Sequence, residues 1–216
     1  MNKSIAILGM GRFGQFLAEE LSKNGADVLI ADNDEKIVNQ YSGIVSDAVI
    51  ADLTDTRSIK NIGLSGMDLV IVTMGSSLEA SILCVMVAKE CGVPRVIAKA
   101  ASDRMGEILR LVGADEIIYP EKESALQNAH KILSANFLEY FSLDEDLCII
   151  NMRPKAEWIG KSLSELRLRN RYGINVVAIR EKDGSLSARI DPEKPLTEDA
   201  QILVLSETKE LKRLKD

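Results

Sequence analysis

Short apolar runs alternate with amphipathic stretches of helical length through the first 120 residues. Residues 4–8, 28–31, 48–51, 69–73, 96–98 and 116–119 are strand-length runs with little polar alternation, as expected of strands buried on both faces. Between them, 13–23, 78–91 and 104–112 carry the clearest helical spacing of apolar positions. Strict strand–helix alternation implies right-handed crossovers and a parallel sheet, so the pattern predicts a doubly wound α/β domain of about six strands. After Pro120 the pattern changes. Residues 121–140 read as one long exit helix, and strand-like runs follow at 147–152, 174–179, 186–190 and 202–205. An Asp183-Gly184 pair predicts a hairpin turn, and short helices are expected at 162–166 and 207–214. The expected organisation is a larger α/β domain over 1–142, including the exit helix, and a smaller α+β domain over 143–216.

Composition adds exclusions. With 216 residues, 46% hydrophobic, the chain has enough apolar material for two cores. No run approaches the roughly 20 apolar residues of a membrane span, and 5–8 is too short for a secretory core, so a cytoplasmic protein is expected. The net charge of −6 resides wholly in residues 1–142, whereas 143–216 is neutral, which argues against a nucleic-acid footprint. Cys84, Cys91 and Cys148 lack metal-ligand spacing and are expected to be buried, reduced thiols.

The candidate chemistry begins where the first strand ends. Gly9-Met10-Gly11-Arg12-Phe13-Gly14 follows a predicted strand and opens a predicted helix, the context in which G-x-G-x-x-G has physical meaning. Such a turn lets backbone approach a pyrophosphate, and the helix N-terminus offers N–H groups and partial positive charge. Asp32, 18 residues beyond Gly14 at the end of the second strand, is placed to accept ribose hydroxyls, and it disfavours a 2′-phosphate. The alternative for Asp32 is a cap on the helix starting near Asp34.

Arg12 departs from an ordinary dinucleotide site. A guanidinium there can fork onto a terminal phosphate, which tilts the expectation toward ATP or ADP over NAD or NADH, unless Arg12 is merely solvated. Further candidates sit at later strand ends: Asn33 after Asp32, Asp52 with Leu53, Thr73 with Gly75, Lys99 and Glu121.

Enzymatic equipment is scarce. The sole histidine, His130, falls within the predicted exit helix, and there is no Walker lysine motif or nucleophile elbow. A nucleotide binder without chemistry suggests a sensor. The alternatives are a redox sensor that binds NAD(H) and a small NAD-dependent oxidoreductase.

The ordered motifs Gly9–Gly14, Ala31-Asp32-Asn33-Asp34, Ala51-Asp52-Leu53-Thr54-Asp55, Val112-Gly113-Ala114-Asp115 and Tyr119-Pro120-Glu121-Lys122, followed by Trp158-Ile159-Gly160-Lys161-Ser162-Leu163 and Arg169-Asn170-Arg171-Tyr172-Gly173, resemble the RCK (KTN) regulatory subunits of Trk/Ktr-type potassium uptake systems. The resemblance implies a Rossmann-like N-terminal RCK domain and a C-terminal RCK domain. It further implies dimers assembled into an octameric ring, peripheral on the inner face of the membrane beneath an integral potassium-translocating subunit. By position it implies that Gly9, Gly11 and Gly14 cradle phosphates, Arg12 contacts a terminal phosphate and Asp32 holds ribose. Lys99 and Glu121 would lie near the phosphates and a cation such as Mg²⁺ or Ca²⁺ on Glu121. Arg169 would face cyclic di-AMP; read from the residues alone, Arg167, Arg169 and Arg171 form a basic face on an extended or turn segment.

Overall fold

The computed structural model describes residues 2–133, 136–144 and 146–214. The chain divides into two units, Met1–Glu121 and Lys122–Asp216.

In the first unit, β1 (Ser4–Leu8), β2 (Asp27–Asp32), β3 (Asp47–Ile50), β4 (Leu69–Val72), β5 (Val96–Lys99) and β6 (Glu116–Ile118) form one parallel sheet in the order β3-β2-β1-β4-β5-β6. Each expected strand is present to within one residue at either end. The pleat of β1 shows why its sequence is apolar throughout. Ile5 and Ile7 belong to the core shared with Ala18 of α1 (Arg12–Lys23) and Tyr41 of α2 (Glu35–Tyr41). Ala6 and Leu8 belong to the opposite core, with Ile59 of α3 (Thr56–Lys60), Cys84 of α4 (Leu78–Glu90) and Leu109 of α5 (Asp103–Leu111). Both faces are therefore dry, and the winding reverses between β1 and β4, opening a crevice at their carboxyl ends.

Helix α6 (Pro120–Leu133) starts at the boundary of the two units. The second unit is an antiparallel sheet, β10-β9-β11-β8-β7, built from β7 (Phe137–Ser142), β8 (Leu147–Met152), β9 (Ile174–Arg180), β10 (Leu186–Ser187) and β11 (Gln201–Glu207). Trp158 is 1% exposed at the centre of its core. Two short helices, α7 (Leu163–Leu166) and α8 (Leu168–Tyr172), precede β9.

Two expectations are corrected. The exit helix does not run through residue 140, because 137–142 is strand β7. Its register on β8 shifts between Phe137 and Glu139, so Phe137 and Tyr140 are both buried at a spacing of three. That bulge reproduces a helical period in a strand. The first unit ends at Glu121, within the first turn of α6. The arginine segment is also not extended, since Arg169 and Arg171 stand on α8, entered through Arg167 in the left-handed conformation (φ 46°).

Smaller differences follow the same logic. The 207–214 helix is a 3₁₀ turn over Thr208–Arg213, and the 186–190 strand shortens to Leu186–Ser187. The hairpin turn holds, with Gly184 at φ +84°.

Candidate functional site

At the crevice, a cavity of about 490 Å³ is lined by Gly9, Gly11, Arg12, Phe13, Asp32, Thr73, Met74, Gly75, Ser76, Lys99, Ala101 and Glu121. That is an ordinary size for a small-ligand site. The glycine turn is why it is open. Gly9 has φ +98°, and a Cβ there would lie 2.6 Å from Met74 Cγ. A Cβ on Gly14 would overlap the Gly9 carbonyl oxygen and sit 3.0 Å from Thr73 Oγ1, so only glycine lets α1 start so close to β1. At Gly11 a Cβ would meet nothing within 4 Å. That glycine is not demanded by packing, and its bare backbone faces the cavity.

The cap of α1 also stands out within the first unit. Helices α2, α3, α4 and α5 are capped by the side chains of Asp34, Asp55, Ser77 and Ser102. The N-cap of α1 is Gly11, with no side-chain cap and no acidic residue in the first turn. Its leading N–H groups and partial positive charge are left for an external anion. Arg12, the first residue of α1, is exposed and has no hydrogen-bond or ion-pair partner among the described residues.

Asp32 does not cap α2; Asp34 does, accepting from Lys36 N at 2.9 Å. Asp32 instead accepts from Met10 N (2.6 Å) and Asp34 N (2.9 Å), tying the end of β2 to the glycine turn. Each carboxylate oxygen keeps a free lone pair for a hydroxyl donor. Buried Thr73 braces the turn from β4, with its hydroxyl against the Gly9 carbonyl and 3.2 Å from the Leu8 carbonyl.

Opposite the turn, Lys99 Nζ donates to Glu121 Oε1 at 2.5 Å and lies 5.8 Å from the Phe13 ring centroid. Gly75 leaves room for it, since a Cβ there would come within 3.3 Å of Lys99 Nζ. The hydrogen bond from Lys99 holds the Glu121 carboxyl below its ordinary value of 4.5. A carboxyl lowered in the folded state stabilises the fold above its ordinary value and loses that contribution as pH falls through the lowered one. Glu121 is largely exposed, so the effect is small. We expect the melting midpoint of Glu121→Gln to fall less steeply below pH 4.5 than that of the wild type, as scanning calorimetry would read.

As a cation site this corner does not fit within one chain. Glu121 already has one oxygen on Lys99, and no group of three or more His, Cys, Asp or Glu side chains suited to a metal occurs among the described residues. A hard cation needs about six oxygens. What the crevice offers is a set of unfilled groups: the bare backbone at Gly11, the uncapped helix and unpaired Arg12 can take an anion, and the Asp32 carboxylate can accept hydroxyl donors.

Other expected site residues lie elsewhere. Met10 and Leu53 are buried in the cores, so neither side chain lines the cavity, and Gly14 serves from beneath the turn. Asn33 is exposed beside Asp32. Asp52 folds back on Thr54, accepting from its N–H and hydroxyl, which lower its carboxyl below the ordinary value. It too is outside the cavity lining.

The thiols are uneven. Burial pushes Cys84 up to about 12 and raises Cys148, whereas Cys91 is half-buried at the C-cap of α4. His130 lies on α6, with its side chain outside the described residues. No described helix is long and apolar enough to cross a membrane. In the second unit, Arg169 is exposed on the rim of a cavity of about 470 Å³, with Arg167, Asn170 and Asn175.

Comparison with known proteins agrees with this architecture. The TrkA-N domain family matches residues 5–120 and the TrkA-C domain family residues 148–216. The chain is 38% identical to the Ktr system potassium uptake protein C of Bacillus subtilis, over 96% of this chain and 94% of that one. It is 31% identical to the Ktr system potassium uptake protein A of the same organism, over 100% and 96%. Identity to the protein A of Vibrio alginolyticus is 34%, over 83% and 81%. Among solved structures, the GsuK RCK domain shares the fold at TM-score 0.64 and 18% identity, over 100% of this chain and 47% of that one. The GsuK channel bound to NAD matches at TM-score 0.64 and 17% identity, over 98% and 38%. The chain, with a TrkA-N unit followed by a TrkA-C unit, belongs to the TrkA/Ktr family of potassium uptake proteins and shares the fold of an RCK domain.

Proposed function

We propose that the protein is the nucleotide-sensing regulatory subunit of a potassium uptake system, a binder and not an enzyme. In this reading ATP and ADP compete for the β1–α1 crevice. The observation that carries it is the uncapped start of α1 beside unpaired Arg12, in a chain related over nearly its whole length to Ktr potassium uptake proteins.

The glycine turn and the first N–H groups of α1 hold phosphates common to both nucleotides, Asp32 accepts the ribose hydroxyls, and Arg12 meets the terminal phosphate that only ATP has. Ligands shift a conformational equilibrium only through differential affinity, and a 1:99 to 99:1 switch needs about 5.5 kcal/mol. Spread over the eight subunits of an octameric ring built from dimers, the requirement per site is below the roughly 1.5–3 kcal/mol of one hydrogen bond to a charged group. The ring would sit on the inner face of the membrane against an integral potassium-translocating subunit. In the second unit, the arginine-rimmed cavity at Arg169 would take cyclic di-AMP.

Calorimetric titration of the purified protein with ATP, ADP, NAD and NADH tests the central claim. Saturable binding of ATP and ADP is expected. Binding of NAD and NADH alone would move the reading to a redox sensor, and no binding by any of the four would end it.

A further inference from the structure

The two peptides flanking Met10 are pinned from opposite directions. On the Gly9 side, Met10 N donates to Asp32 Oδ2 at 2.6 Å, and the Gly9 carbonyl accepts from Thr73. On the Gly11 side, the Met10 carbonyl accepts from Gln15 Nε2 at 2.8 Å. Gln15 stands on α1 and does not line the cavity. The Met10–Gly11 peptide is trans, so its C=O and N–H point in opposite directions. A carbonyl held toward the Gln15 amide therefore turns the Gly11 N–H the opposite way, and that N–H has no acceptor among the described residues.

The anchor is itself held. Tyr41, the last residue of α2 and 3% exposed, donates to Glu19 Oε1 at 2.6 Å, one helical turn along α1 from Gln15, and its hydroxyl is 3.4 Å from Gln15 Oε1. The bond to Glu19 pushes the Tyr41 phenol up to about 12, so it remains a donor at any ordinary pH. At its other end α2 starts from Asp34, whose N–H returns to Asp32. The hydrogen bonds thus close a ring: Asp32, the Met10 peptide, Gln15, α1, Glu19, Tyr41, α2, Asp34 and back to Asp32.

We propose that Gln15 and Tyr41 are positioning residues of the nucleotide cradle. Gln15 aims the Gly11 N–H at the phosphates, and Tyr41 keeps α1 and α2, and with them Gln15 and Asp32, in mutual register. This rests on the nucleotide-binding reading above. Neither side chain touches the ligand, so their loss affects ATP and ADP alike.

The test uses the full chain with Gln15→Met, which keeps length and removes the donor, and Tyr41→Phe, which keeps the buried ring and removes the hydroxyl. Titration should show Gln15→Met weakening ATP and ADP by the same factor, about three- to tenfold for one lost neutral hydrogen bond. Tyr41→Phe should do so to a smaller equal extent. In the nucleotide-free protein, hydrogen exchange at the amides of Met10 and Gln15, bonded to Asp32 and to the Gly11 carbonyl, should quicken in both variants while the amides of β1 and β4 stay unchanged. Wild-type affinity together with wild-type exchange in Gln15→Met would overturn the proposal. So would a loss confined to ATP, which would put Gln15 on the terminal phosphate. Should the wild type bind no nucleotide, the functional reading fails, and the exchange measurement still decides whether Gln15 holds the turn.

Discussion

Replacing Arg12 with alanine is expected to weaken ATP binding about 10- to 100-fold while changing ADP binding by less than about threefold. The size comes from the roughly 1.5–3 kcal/mol of a hydrogen bond to a charged group, at 1.4 kcal/mol per factor of ten. Its selectivity comes from position. Arg12 is the first residue of α1, exposed, on the cavity wall and without a protein partner among the described residues, so its removal breaks nothing internal. Phosphates shared by ATP and ADP keep the glycine turn and the helix N–H groups. Arg12→Lys keeps the charge but loses the planar fork, and an intermediate loss for ATP is expected. Parallel titrations with the two nucleotides read the difference, and an unchanged melting midpoint shows that the fold is intact. Equal losses for ATP and ADP would remove Arg12 from the terminal phosphate.

The crevice was legible because its physics is local in sequence. Strands buried on both faces write uninterrupted apolar runs, and a glycine turn between such a strand and a helix has few other uses. Asp32 was found by spacing, yet its bonds to Met10 and Asp34 were not, because they depend on how β2 ends beside β1. Leu53 looked like part of a site segment, but its side chain completes the core beneath Cys84. Strand β7 was hidden by its bulge, which buries Phe137 and Tyr140 at a helical spacing.

Partners set by packing left no trace at all. Tyr41 and Glu19 meet only because α1 and α2 pack on the same sheet face. Gly106, an apparent weakness within α5, is where the Tyr119 hydroxyl lies against the helix, so that a Cβ would overlap it. A sequence records periodicity and turn chemistry residue by residue; it records pairings between distant side chains only after the fold has chosen them.

The second unit supplies the larger expected loss of stability. Trp158 is the only tryptophan of the chain, 1% exposed, with its ring edge-on to Tyr172 at 5.1 Å between centroids and an interplanar angle of 66°. Its indole N–H is 3.5 Å from the Tyr172 hydroxyl, which in turn donates to Glu157 at 2.7 Å. Truncating a buried aromatic to alanine costs about 3–5 kcal/mol, because the lost burial is compounded by a cavity that neighbours only partly fill. A unit of this size is stable by only about 5–15 kcal/mol, so Trp158→Ala should lower its unfolding midpoint by more than about 10 °C. In the wild type, tryptophan fluorescence reports this unit alone. In the variant, calorimetry takes its place. ATP affinity should remain within about twofold of wild type, since every residue of the crevice lies in the first unit. A midpoint unchanged by the substitution would mean that Trp158 is not the keystone of this core, and a matching loss of ATP affinity would mean that the two units do not hold their structures independently.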